Sequence, residues 1–290
     1  MEVVLISIGT ILLVISFIGA SLLVGFLIGL LYGKSYNDKS EENGSRKWIA
    51  FQRFVSTKII HYAKRYYFRY EIIYKGGDGT RESNILLEER VLRYQQGKET
   101  AIFSSSPHGL FAISTFFLVG TPDWETGWQS VRPCIHRHVF AIPLLRDFAL
   151  WIGAIDVSKK HIENMLEKSS ILLAPGGTKE MIIDVNNPIQ TIHTGFLKIA
   201  YANKKLVFPV LHTGQERVFR SSSFRWLDRI RTIVLKHTGY PFPTLFMGPF
   251  PSKLTTYVFE PLDPYNYDNE ETFIDNYYAT IIIYNEEVNK

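Results

Sequence analysis

AIFSSSPHG, at residues 101–109, decides the fold, because it runs from a β-type apolar segment into a histidine framed by proline and glycine. Pro107 fixes its own backbone and restrains the residue before it, and Gly109 lets a ligand or another backbone approach closely. The apolar LFAISTFFLV that follows predicts a helix, and the serines before Pro107 read as turn residues. His108 is therefore expected at a strand-to-helix junction, where a histidine can act as a general base. A capping or buried core histidine is the ordinary alternative.

Two later segments also end predicted strands with residues suited to an anionic ligand. GAIDVSK, ending at Lys159, places a cation after a short apolar strand, where it suits the phosphate of a ligand. ILLAPGGTKE runs from a buried strand into Gly176 and Gly177, whose amides can face an oxyanion. KLVFPVL is a further buried strand. Because strands and helices alternate, the sequence predicts an α/β fold, a mostly parallel sheet flanked by helices, with these strand ends on one edge.

Composition limits the class of protein. The 290 residues suffice for one large α/β core with appendages. The net charge of +4 is modest, and no cluster of Lys and Arg is dense enough to indicate a nucleic-acid binder. Cys134 is the single cysteine, so no intrachain disulfide can form, which suits a domain facing the cytosol. His136 and His138 lack a Cys or carboxylate nearby in sequence to complete a zinc site, so no metal is predicted.

Residues 1–33 are predicted to anchor the chain in a lipid bilayer. Residues 3–33 carry no charge, and a helix of that length would extend ~45 Å across a hydrocarbon core of ~30 Å. One tilted transmembrane helix is favoured over a short hairpin. Basic residues follow this segment and none precedes it, which predicts a cytosolic domain. Gly25 and Gly29 form a GxxxG pair, through which two copies can associate as a homodimer.

The rest of the chain divides at about residue 68. Residues 34–68 combine a polar linker with an amphipathic helix whose aromatic face and basic flanks suit a lipid interface, although a helix packed on the domain fits equally well. Residues 69–290 form the predicted catalytic domain. Within it, GGDGT at residues 76–80 matches a phosphate loop of lipid and NAD kinases, but a solvated strand-to-helix turn is favoured because nothing downstream continues the kinase pattern.

Four segments in order, PHG, GAIDVSK, APGGTKE and FPV, resemble the motifs of the glycerolipid acyltransferase superfamily, whose fold is PlsC-like. SPHG is similar to the HPHG motif of the type-2 diacylglycerol acyltransferases, and the HVFAIP and PGGTKE blocks resemble the transmembrane protein 68 group. The resemblance covers roughly residues 69–285. The chain departs from the superfamily pattern in three places: Ile113 and Ser114 stand where an aspartate is usual, Gly176 replaces a glutamate, and Lys159 and Lys179 replace arginines.

The resemblance implies an enzyme that transfers a fatty acyl group from acyl-CoA, a co-substrate, to a mono- or diacylglycerol, with no resident cofactor and an endoplasmic reticulum location. His108 would be the general base, amides near Gly109 or at Gly176 and Gly177 the oxyanion donors, and Glu180 the orienting carboxylate. The substrate-binding residues would be Pro107, Gly153, Ser158, Lys159, Pro175, Gly176, Gly177 and Lys179, with the two lysines on the coenzyme A phosphates. A lysophospholipid or glycerol-phosphate acceptor, or a non-catalytic lipid-binding protein on the same scaffold, are the alternatives.

Overall fold

The computed structural model describes residues 23, 25, 29, 33, 38–109, 111–119, 130–177, 180, 193–221, 225–238 and 246–289. Leu23, Gly25, Gly29 and Gly33 are helical and exposed, and the remainder of the predicted membrane anchor lies outside the described residues. No helix among the described residues is long and apolar enough to cross a bilayer. By its contacts the chain divides into two units, Met1–Ser40 and Glu41–Lys290.

The second unit is built on a seven-stranded sheet. In its described part the strand order is β1-β9-β6-β2-β5-β3-β4, and every neighbouring pair is parallel except β6 and β9. A small antiparallel ribbon pairs β7 with β8. The strands are β1 Glu71–Lys75, β2 Ile102–Ser106, β3 Val131–Ile135, β4 Ile155–Asp156, β5 Ser170–Leu173, β6 Val207–Thr213, β7 Arg220–Ser221, β8 Phe246–Met247 and β9 Thr255–Phe259. The predicted α/β fold with a mostly parallel sheet is confirmed.

Helices cover both faces of this sheet. The described helices are α1 Ser40–Asn43, α2 Ile49–Phe54, α3 Arg81–Gln95, α4 Ile113–Val119, α5 Leu145–Trp151, α6 Lys159–Leu166, α7 Gly195–Ala202, α8 Arg225–Thr238 and α9 Glu270–Val288. Apolar side chains of α6, α7 and α9 pack on one face of the sheet, and those of α3 and α4 pack on the other. Because both faces are covered, the central strands are buried on both sides, as is usual in parallel sheets.

The serines of the central strand β2 are the main local difference from the sequence-based prediction. Ser104, Ser105 and Ser106 form the end of the strand rather than a turn, and all are buried. Burying a hydroxyl is costly unless it is hydrogen-bonded. Ser104 accepts a hydrogen bond from Tyr277 on α9 at 2.5 Å, and Ser105 lies 2.7 Å from His212 on β6. These bonds offset the cost of burying Ser104 and Ser105, whereas the buried Ser106 hydroxyl has no hydrogen-bond partner among the described residues.

The GGDGT segment is a capping turn between β1 and α3. Thr80 is the N-terminal cap of α3, where its hydroxyl accepts the Ser83 amide at 3.2 Å. Asp78 in turn accepts the amide and the hydroxyl of Thr80. A capping side chain of this kind satisfies a helix amide that lacks an intrahelical partner. The polar residues of the turn are therefore used locally, as the solvated-turn interpretation predicts.

Helix α2 continues through two π-helical segments, Val55–Ile60 and Ala63–Tyr67, and has two distinct sides. On one side Phe51 packs on Trp151 of α5, with ring centroids 5.0 Å apart, and Val55 and Ile60 join a buried cluster. On the other side apolar and aromatic residues are exposed: Ile49, Phe54, Ile59, Tyr62 and Tyr66. The helix thus packs on the domain and still presents an apolar surface.

Candidate active site

His108 lies two residues after Ser106, the last residue of β2, at the carboxyl edge of the sheet. Its imidazole Nδ1 is 2.8 Å from the carbonyl oxygen of Gly109. Because a carbonyl oxygen can only accept, Nδ1 carries the proton, and in the neutral ring Nε2 keeps its lone pair. Burial lowers the pKa of His108, although the bond to Gly109 raises it in part. The arrangement gives a neutral imidazole with a free Nε2 lone pair, which is what a general base requires.

Glu180 reaches the histidine through the main chain rather than through the imidazole. Its Oε2 accepts the His108 amide at 2.5 Å. Its Oε1 is buried and has no hydrogen-bond partner. Burial raises the pKa of Glu180 to about 7, against the opposing effect of the His108 amide. The orienting partner of the imidazole is thus the Gly109 carbonyl, and Glu180 instead fixes the backbone from which the imidazole projects.

Gly176 provides the space that the Glu180 carboxyl occupies. A Cβ atom at residue 176 would overlap this carboxyl group. A side chain at residue 176 would therefore displace the Glu180 carboxyl. The loop lies close to the histidine segment because β5 is the direct neighbour of β2 in the sheet. The close approach of residues 176 and 180 brings the diglycine segment and the histidine segment together.

Gln215 is a site residue that the sequence did not single out. It follows β6, and its Nε2 donates to the carbonyl oxygens of Pro107 and His108, each at 2.8 Å. Its Oε1 accepts the Ser114 amide at 2.9 Å. One buried amide side chain therefore joins the histidine segment to the first turn of α4. The sequence signal is only a polar residue just after a buried strand.

His212 forms a second buried connection below the histidine segment. Its Nε2 lies 2.7 Å from Ser105 Oγ and 3.3 Å from Thr115 Oγ1, and its Nδ1 lies 2.8 Å from Thr256 Oγ1. Burial lowers the pKa of His212 to about 3. This imidazole is therefore neutral at physiological pH, and it links β2, β6, β9 and α4 through hydrogen bonds on both ring nitrogens.

The amides proposed as oxyanion donors differ in what they bind. The Gly177 amide donates to the Ala174 carbonyl at 3.1 Å, within its own turn. The His108 amide is used by Glu180. Among the amides that flank the histidine and the diglycine, Gly109 and Gly176 remain as candidate donors toward a tetrahedral oxyanion.

The predicted site residues on either side of β4 lie farther away. In the sheet order β4 is three positions from β2, which is ~14 Å at the usual strand spacing. Lys159 begins α6, is exposed and lies 3.8 Å from Glu163, while the Ser158 hydroxyl lies 2.7 Å from His161 Nδ1. Gly153 precedes β4, at its amino end, and contacts Arg132.

The structure thus brings together Pro107, His108, Gly109, Gly176 and Glu180, and it leaves Gly153, Ser158 and Lys159 toward the far edge. Pro175 lies in the turn that follows β5, where its carbonyl accepts the His193 amide. Lys179 lies outside the described residues. In the described ranges, no group of three or more His, Cys, Asp and Glu side chains is arranged to hold a metal ion.

Comparison with known proteins gives consistent matches. A model of the family described as Diacylglycerol acyltransferase matches residues 90–258, more than half of the chain. Diacylglycerol O-acyltransferase 2 of Dictyostelium discoideum is 31% identical over 194 residues, covering 57% of this chain and 57% of that protein. 2-acylglycerol O-acyltransferase 1 of Homo sapiens is 26% identical over 157 residues, covering 49% of this chain and 47% of that protein.

The chain spans about half the length of the curated relatives it matches. Among solved structures, the 1-acyl-sn-glycerophosphate (LPA) acyltransferase PlsC of Thermotoga maritima has a TM-score of 0.47 and 13% identity, with coverage of 91% of this chain and 89% of that chain.

Proposed function

Because the chain belongs to the diacylglycerol acyltransferase family, we propose that it transfers a fatty acyl group from acyl-CoA to the hydroxyl of a mono- or diacylglycerol, with His108 as the general base. The observation that carries the proposal is the His108 ring, whose Nδ1 is bonded to the Gly109 carbonyl so that Nε2 is the basic atom. The relatives that match are named as acyltransferases that act on diacylglycerol or 2-acylglycerol. The family match and the motif order together support the reaction class.

The proposed reaction needs few groups. His108 Nε2 takes the proton of the acceptor hydroxyl while the hydroxyl oxygen attacks the thioester carbonyl carbon. The carbonyl oxygen then carries negative charge, which the amides of Gly109 and Gly176 are suited to stabilise. When the intermediate collapses, the carbon–sulfur bond breaks and the imidazolium returns its proton to the coenzyme A sulfur. General base catalysis of this kind typically contributes ~10²–10⁴-fold to the rate.

The Gly109 carbonyl supports this cycle in the way that an aspartate does in other histidine bases. It accepts a hydrogen bond from Nδ1–H, which holds the ring in one tautomer. The same hydrogen bond remains when the ring becomes positively charged. A neutral carbonyl stabilises the imidazolium less than a carboxylate would. Burial lowers the pKa of His108, and the bond to the Gly109 carbonyl opposes this effect only in part. The absence of an aspartate near residues 113 and 114 is thus compatible with a base at His108.

We further propose that the reaction takes place at a bilayer surface, with residues 1–33 as the anchor in the endoplasmic reticulum membrane and the second unit in the cytosol. The exposed apolar side of α2 and the Leu144 side chain, 77% exposed just before α5, support contact of the second unit with a bilayer surface. Burial of such side chains among lipids is favourable in proportion to the apolar area removed from water. We also propose that two copies associate as a homodimer through Gly25 and Gly29.

One acceptor panel tests the proposed function. The full chain in detergent micelles is given labelled oleoyl-CoA together with dioleoylglycerol, monooleoylglycerol, lysophosphatidate, glycerol 3-phosphate or lysophosphatidylcholine in separate reactions. We expect labelled neutral lipid from the first two acceptors. Product only from the phosphorylated acceptors would replace the proposed substrate class. No product from any acceptor, despite retained binding of diacylglycerol, would favour a lipid-binding protein over an enzyme.

A further inference from the structure

A basic cavity lies where the π-helical continuation of α2 ends and β1 begins. Its volume is about 360 Å³, and the side chains that line it are His61, Lys64, Arg65, Arg69 and Tyr70. Three of these carry a fixed positive charge, and none is acidic. None of these five residues belongs to the set around His108, so the cavity is a second feature of the same unit.

Two of the three positive charges, those of Arg65 and Arg69, lie on exposed side chains. Within the described part of the chain, neither Arg65 nor Arg69 forms an ion pair with an Asp or Glu side chain. Lys64 Nζ lies 4.4 Å from the centre of the Tyr70 ring and 3.4 Å from the Phe117 carbonyl oxygen. These contacts hold its ammonium group at the cavity wall. Placing the Arg65 and Arg69 charges close together, with no ion pair to a described Asp or Glu, is unfavourable, and an anion bound in the cavity would offset that cost.

The backbone here is irregular in a way that gathers these side chains. The Phe68 amide donates to the Ala63 carbonyl, and the Tyr70 amide donates to the Lys64 carbonyl. These bonds span five and six residues, so the last turns of the helix are wider than an α-helix. Arg69 then adopts a φ of 44°, which is uncommon for a residue with a side chain. Widened helical turns and left-handed residues of this kind recur at binding sites.

The chemistry of the rim identifies the class of ligand. Tyr62 and Tyr66 stand beside the cavity on the same helix, 59% and 66% exposed, and their rings stack at 5.7 Å. Exposed tyrosines next to basic side chains are typical of the boundary between lipid headgroups and acyl chains. Lys and Arg side chains together bind phosphate through charge-assisted hydrogen bonds. We propose that this cavity binds the phosphate group of a membrane phospholipid, with Arg65 and Arg69 as its principal donors.

The test measures binding by the full chain in neutral detergent micelles. Isothermal titration calorimetry follows dioctanoyl phosphatidate, with dioctanoylglycerol as the phosphate-free comparison and inorganic phosphate and coenzyme A as soluble phosphates. The site variant is R65Q/R69Q, in which both substitutions are at exposed positions. The matched control is R53Q/K58Q, which removes the same charge from the same helix but outside the lining of the cavity. Melting temperatures of all samples show that the variants are folded.

We expect R65Q/R69Q to raise the Kd for dioctanoyl phosphatidate about tenfold, because two charge-assisted contacts to one phosphate are lost. R53Q/K58Q should change it about twofold or less, because those charges act only at a distance. Equal weakening in both variants would show diffuse attraction and overturn the site. Inorganic phosphate or coenzyme A binding as tightly as the lipid, with the same loss in R65Q/R69Q, would overturn the lipid assignment. Absence of phosphatidate binding by the unaltered protein would overturn the proposal outright.

Discussion

Substituting Glu180 with glutamine should make the protein more stable at alkaline pH. The pKa of Glu180 is raised by burial from 4.5 to about 7. Below pH 4.5 the Glu180 carboxyl is protonated in both the folded and the unfolded protein. Between pH 4.5 and 7 the folded protein keeps a proton that the unfolded protein has released. Stability therefore falls as the pH rises through this window, and the loss is complete above pH 7.

The size of the effect follows from the width of that window. A shift from 4.5 to about 7 corresponds to about 3 kcal/mol, taking ~1.4 kcal/mol per pKa unit. E180Q carries no charge, and its amide oxygen can still accept the His108 amide. At pH 8 the variant should thus be more stable than the parent by up to about 3 kcal/mol, and at pH 4.5 the two should be nearly equal. For a domain of this size ~1 kcal/mol shifts the Tm by ~2–4 °C.

The assay is thermal unfolding of parent and variant in micelles at several values between pH 4.5 and pH 8. The matched control is E163Q, which removes the carboxylate of an exposed pair with Lys159. E163Q should follow the parent across the whole range, because surface pairs contribute little. A Tm difference between E180Q and the parent that is the same at pH 4.5 and pH 8 would refute the reasoning, as would a parent more stable than E180Q at pH 8.

Three further outcomes are expected from the same geometry. Q215E keeps an acceptor for the Ser114 amide but turns a carboxylate oxygen toward the carbonyl oxygens of Pro107 and His108. Turnover should fall about 10²-fold because His108 is misplaced, with little change in the KM for acyl-CoA. The control is Q52E, which alters a side chain bonded to the Trp151 carbonyl and should retain activity. G176A should lower the Tm because its methyl group meets the Glu180 carboxyl, and adding E180A should recover part of that loss; additive losses would contradict the contact. T80A should cost ~1 kcal/mol of stability through loss of the α3 cap without changing turnover, and a loss of turnover at constant stability would contradict a purely capping role.

The segments that the sequence predicts correctly are those with an uninterrupted apolar pattern. Strands β5 and β6 and helix α4 are recognisable from such runs. Strand β3 is not, because Arg132 and Pro133 interrupt it. The serines of β2 are equally misleading, because the hydroxyls of Ser104 and Ser105 are hydrogen-bonded to residues far along the chain, such as Tyr277 and His212. Partners of this kind are determined by the fold and leave no local signal.

The candidate site likewise contains residues that the sequence predicts and residues that it does not. His108, Gly109 and Gly176 are predictable because a histidine or glycine at the end of a strand is a local signal. The partner of the imidazole is a main-chain carbonyl, and every residue has one, so no sequence pattern could identify it. Gln215 could not be identified from the sequence for the same reason, because its partners are main-chain atoms. The distance from His108 to Lys159 depends on strand order, which the alternation of strands and helices does not determine.

Turnover of H108A in micelles with labelled oleoyl-CoA and the best acceptor tests the account most directly. His237, exposed in the last turn of α8, provides the matched control H237A. The account predicts that H108A loses ~10²–10⁴-fold in turnover while its Tm and its binding of diacylglycerol stay unchanged, and that H237A behaves as the parent. H108A turnover within about tenfold of the parent, below the usual contribution of a general base, would contradict the assignment of His108 as that base.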